Sequence, residues 1–102
     1  METQYTIELE IRTPGGIVPF ARFFLGNSQK SAREIFNQLL GNKTANEKCP
    51  INLYLIETKD GLPINVDRIT CTLNELAENC KTITKEFFKL NTFSLHSKMG
   101  FV

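Results

Sequence analysis

The chain has 102 residues, of which 41% are apolar and 23% charged, and a net charge of +1. That length supports one two-layer core and not two. The composition excludes a disordered chain, and the near-neutral balance excludes the strong positive field of phosphate-dominated nucleic-acid binders.

The opening METQYTIELE has neither a basic n-region nor an apolar h-region. No apolar run approaches the ~20 residues of a membrane span. Cys49, Cys71 and Cys80 are odd in number and widely spaced, without a CxxC pair. They read as reduced thiols, so a cytoplasmic location away from membranes is expected.

From Tyr5 to Arg12 apolar and polar residues alternate, giving a half-buried strand. Thr13-Pro14-Gly15-Gly16 is a turn, and Ile17 to Leu25 is a second strand, apolar on both faces. A helix follows over Gln29 to Leu40, with Ala32, Ile35, Phe36, Leu39 and Leu40 on one side, capped by Asn27 or Ser28 and ended by Gly41. Asn42 to Pro50 is a polar loop.

Ile51 to Thr58 and Leu62 to Thr70 form a hairpin about Asp60-Gly61, a favoured two-residue turn. Pro63 argues for a sheet edge. Thr72-Leu73-Asn74-Glu75 is a capping box. It opens a second helix, Leu73 to Leu90, with Leu73, Leu76, Ala77, Cys80, Ile83, Phe87 and Leu90 along one side. Phe93, Leu95, Met99 and Phe101 make the tail a docking segment.

The order ββαββα predicts an α+β fold: a two-layer α/β sandwich whose four-stranded, mainly antiparallel sheet carries both helices on one face. A β-grasp-like arrangement is the alternative. One domain is expected over residues 1–91, with a C-terminal tail over 92–102. The halves match thinly at an offset of 45, as in Gly16 with Gly61 and Ile17 with Leu62. Such matches raise an ancestral ββα duplication.

The first turn decides which face each phenylalanine takes. A three-residue loop, with Pro14 first and Gly16 left-handed, pairs Thr13 with Ile17 and sets Glu8 opposite Arg22. A two-residue loop would bury Arg22 as an unpaired charge, which is costly. The three-residue register sends Phe23 to the core and leaves Phe20 and Phe24 on the other face, either side of Arg22. The second hairpin adds Tyr54, Ile56 and Ile69 there, and Val18 completes the patch.

An exposed apolar patch of this size marks a binding surface. The expected site is therefore Phe20, Arg22, Phe24, Glu8, Tyr54 and Ile56, acting as interface or ligand contact. The function expected is a small non-enzymatic interaction module that self-associates as a homodimer, or meets another protein, through this aromatic sheet face. The alternative is a small-molecule-binding or enzymatic domain with its pocket at the sheet or subunit interface.

Chemistry has thin support in the chain. The lone His96 could serve Cys71 or Cys80 as base, but Cys80 lies on a buried helical stripe where thiols are inert. Glu8 and Glu10 share a strand face with Arg12 and Arg22, which reads as a salt-bridged surface. No metal-ligand spacing and no phosphate loop is present, so no cofactor is expected and the reading leans away from an enzyme. Phe20, Arg22 and Phe24 are of the kind that stacks on RNA bases, yet two glutamates flank them and nucleic acid is not the expected partner. Lys81, Lys85 and Lys89 form an ordinary solvated helix face.

Overall fold

The computed structural model describes residues 2–44 and 49–99, with side chains through residue 89. In chain order the elements are β1 (Thr3–Thr13), β2 (Gly16–Gly26), α1 (Gln29–Asn37), β3 (Ile51–Lys59), β4 (Leu62–Cys71) and α2 (Leu73–Met99). The four strands form one sheet in the order β2-β1-β3-β4, and every ladder is antiparallel. This is the expected ββαββα sandwich. A β-grasp arrangement would need a parallel pair, and the sheet has none.

Alternation along the central strands builds the core. Ile7 and Leu9 of β1 and Leu53 and Leu55 of β3 are fully buried. Ala32, Ile35 and Phe36 of α1 and Leu76 and Ile83 of α2 pack on the same cluster, so both helices cover one sheet face. Ser28 caps α1 by accepting the Ser31 N–H at 3.2 Å. The capping box of α2 forms: the Glu75 N–H donates to Thr72 Oγ1 at 3.2 Å, and the Thr72 N–H donates to Glu75 Oε1 at 2.9 Å.

One buried side chain ties α2 to the segment that follows α1. Asn79 accepts the Leu40 N–H at 2.7 Å and donates Nδ2 to the Leu40 carbonyl at 2.8 Å. Gly41 then passes so close to β4 that a Cβ would lie 2.5 Å from the Thr70 carbonyl oxygen. Asn42 pairs with Thr70 as a one-residue bridge on the β4 edge.

Three bulges interrupt the outer strands, at Phe20 and Leu25 of β2 and at Val66 of β4, and those at Phe20 and Val66 set the faces. The first turn closes after two residues, pairing Thr13 with Gly16 and Ile11 with Val18, and not Thr13 with Ile17. Phe20 is then an extra residue between the pairs Glu10–Pro19 and Leu9–Ala21. That bulge restores Glu8 opposite Arg22, so the two-residue turn does not bury the arginine. Val18, expected on the open face, instead shares a face with Ile11.

β4 repeats the device. Val66 is the extra residue between the pairs Ile56–Asn65 and Leu55–Asp67. The bulge turns Ile69 to the core side, opposite Leu53, where it is buried, and not to the open face as expected. Each hairpin has a two-residue turn, four pairs and then a bulge, with equivalent residues 46 positions apart. The offset of 45 suggested by residue identities is therefore one short.

α2 continues to Met99, past the expected end at Leu90. Ile83 is the last core residue among its described side chains, while Leu73, Phe87 and Phe88 of the same helix are exposed. Of the stripe from Leu73 to Phe87, Leu76, Cys80 and Ile83 pack on the core, whereas Leu73, Ala77 and Phe87 are exposed. The side chains of Leu90, Phe93, Leu95 and His96, and all of Phe101, lie outside the described residues.

Candidate functional site

Backbone pairing assigns the open sheet face in lateral rows. One row reads Arg22, Glu8, Tyr54 and Arg68 across β2, β1, β3 and β4. The next reads Phe24, Thr6, Ile56 and Asn65. Pro19, Glu10, Asn52 and Thr70 form the row on the other side, and Phe20 sits at the bulge between Pro19 and Ala21. Pairing thus puts Arg22, Phe24, Glu8, Tyr54 and Ile56 on one face, while Phe20, unpaired at the bulge, is assigned to no row.

Their exposures differ by strand. Phe20 is 60% and Phe24 52% exposed, whereas Tyr54 and Ile56 on the central β3 are half-buried. Edge position explains the contrast, since β2 has a neighbour on one side only. Ile17, 57% exposed, shares this face with Arg12. Ile17 and Pro19 were missed because the turn length decides their side.

Arg22 Nη2 meets Glu8 Oε2 at 2.6 Å, with the arginine 70% exposed and the glutamate 19%. An exposed pair of this kind contributes little to stability, about 0.2–1 kcal/mol. It holds the guanidinium toward β1. A shallow depression of ≈ 550 Å³ lies beside it, lined by Thr6, Glu8, Arg22, Ile56, Thr58, Gly61, Pro63 and Asn65. Thr6, Thr58 and Asn65 add neutral hydrogen-bonding groups that single-strand patterning could not assemble.

The residues considered for chemistry are elsewhere. Cys71 is fully buried on the helix-covered side, and burial followed by the nearby Glu75 charge pushes its thiol up to about 11. Cys80 packs against the core, and burial raises its thiol as well. A raised pKa keeps a thiol protonated and poorly nucleophilic. Among the described residues no cluster of histidine, cysteine or carboxylate side chains could hold a metal ion, and no helix is long and apolar enough to cross a membrane. Lys81 and Lys89 pair with Glu78 and Glu86 along α2, at 3.4 Å each.

The strongest ionic cluster ties the helix layer to β4. Asp67 receives Lys43 Nζ at 2.7 Å and Arg33 Nη1 at 2.9 Å, and the Arg68 N–H donates to the same carboxylate at 2.8 Å. Comparison with known proteins gives no match to a family model, a curated protein or a solved structure.

Proposed function

We propose that this chain is a non-enzymatic interaction module that pairs with a second copy of itself, open sheet face to open sheet face. The observation carrying this reading is the joint exposure of Phe20 and Phe24 on the edge strand β2, outside the core that the helices cover. Charge supports a like partner. The face mixes Glu8 and Glu10 with Arg12, Arg22 and Arg68, so a two-fold axis can set its carboxylates against its own guanidinium groups. The unpaired thiols fit a reducing compartment, the cytoplasm.

The test is Phe20→Glu. A phenylalanine offers ~200 Å², and 60% of Phe20 remains available for burial. Two such rings at ~25 cal/mol per Å² contribute up to about 6 kcal/mol to a symmetric pair. Phe20→Glu should convert a dimer to a monomer in light scattering while leaving the circular dichroism unchanged. An unchanged mass refutes the reading.

The depression beside Glu8 and Arg22 favours a second reading, a small-molecule site with mixed polar and apolar walls. Native mass spectrometry separates the two: a small adduct on a monomer supports the ligand, and a doubled mass supports the dimer.

A further inference from the structure

The matching hairpins show what β2 lacks. Thr70 of β4 and Phe24 of β2 occupy equivalent steps, opposite the equivalent residues Asn52 and Thr6. Thr70 turns its main chain away from β3: its N–H donates to the Asn42 carbonyl at 2.7 Å, and its carbonyl accepts the Asn42 N–H at 2.8 Å. A residue can do this only at a non-hydrogen-bonded step of its own ladder. Phe24 stands at the same step, so its amide and carbonyl also face outward.

Both edges are blunted nearer their turns by a proline, Pro63 in β4 and Pro19 in β2. Among the described residues only β4 is completed further along, by the segment that follows α1. The segment cannot be repeated at β2, because α2 continues as helix where α1 has ended. Among the described residues no backbone group outside β1 bonds Phe24. Beside it lies a largely apolar groove of ≈ 190 Å³ between β2 and α2, lined by Arg22, Phe23, Phe24, Ile83, Thr84 and Phe87.

We propose that the outer edge of β2 at Phe24 binds an extended polypeptide segment of another protein as a short added strand. The occupant makes the two main-chain hydrogen bonds to Phe24 that Asn42 makes to Thr70. The chain's own segment defines its chemistry. The residue before the bridging one is glycine, because a Cβ at Gly41 would strike the Thr70 carbonyl. The bridging residue keeps its N–H. The next residue is apolar: Lys43 answers Asp67 on β4, but Ala21 occupies the equivalent place on β2. The site uses the main chain of Phe24 at the sheet edge, whereas face-to-face pairing would use its ring.

The test is an NMR titration of the isotope-labelled full chain with the synthetic peptide Leu-Leu-Gly-Asn-Leu-Thr, residues 39–44 carrying Lys43→Leu. The amides from Arg22 to Gly26 should shift, and exchange of the Phe24 amide should slow. Methylating the peptide's asparagine nitrogen removes one hydrogen bond and should weaken binding about tenfold. Phe20→Glu protein should bind the peptide unchanged, which separates this site from face-to-face pairing. Absent shifts at millimolar peptide, or equal binding of the methylated peptide, overturn the proposal. So does Phe24 protection that grows with protein concentration alone, since a second copy would then hold the edge.

Discussion

Replacing Asn79 by leucine tests how the two ββα halves are held together. Asn79 is fully buried, and its side chain makes two bonds to the Leu40 backbone, at 2.7 and 2.8 Å. Leucine has similar volume and no polar atom, so the change removes hydrogen bonds while creating little cavity. Each lost bond costs about 1 kcal/mol net, and each group left without a partner adds about 1–3 kcal/mol. Leu40 is about half exposed, so water recovers part of the second cost. The expected loss is about 2–4 kcal/mol, a large fraction of a small domain's stability and a melting shift of at least about 8 °C. Urea denaturation followed by circular dichroism measures it. Asn79→Asp gives a sign test. Its carboxylate would accept the Leu40 N–H but oppose the Leu40 carbonyl, so the folded state favours the protonated acid. Its folded pKa then lies above the unfolded ~3.9, and stability falls as pH rises from that value. An Asn79→Leu protein within about 0.5 kcal/mol of the parent, or an Asn79→Asp protein with the parent's pH profile, would refute the reasoning.

Asp67 governs acid stability. Desolvation raises its pKa, but bonds from Lys43, the Arg68 amide and Arg33 outweigh this and hold the carboxyl below its ordinary value. A depressed folded pKa contributes stability above the unfolded ~3.9 that is lost as pH falls through the folded value. Asp67→Asn should therefore flatten the acid limb of a melting-temperature profile, and an unaltered limb counts against the cluster. The thiols supply a kinetic check. With Cys71 pushed up to about 11 and Cys80 raised by burial, iodoacetamide at pH 8 should label neither in the folded chain within minutes. Rapid labelling of either one, located by peptide mass mapping, contradicts their burial.

Much of the fold was legible because its signals are local. Alternation from Tyr5 to Arg12, the Asp60-Gly61 turn and the Thr72–Glu75 box each act within a few residues, and each forms as expected. The opposition of Glu8 and Arg22 was also reached, though by a different route. A three-residue turn and a two-residue turn followed by a bulge give the same pairing at that point. What differs is everything between turn and bulge, which is why Val18 faces the other way. Ile69 was misplaced for the same reason, through Val66. A bulge is a relation between two strands, and no single-strand pattern carries it. Strand order was likewise unreadable, because the β1–β3 ladder pairs residues such as Tyr5 and Glu57 that are 52 positions apart.

The bulge at Phe20 gives that residue an unusual standing. In most strands, removing one residue flips every side chain beyond it to the opposite side. Here the deletion of Phe20 would leave Pro19 opposite Glu10 and bring Ala21 into the next step opposite Leu9, a ladder unbroken from the turn to Thr6–Phe24 with the other β2 side chains where they are now. The hairpin could be drawn one residue shorter without changing its core. Phe20 is thus surplus to the sheet's own geometry, and the chain uses that surplus position for a large ring directed at solvent.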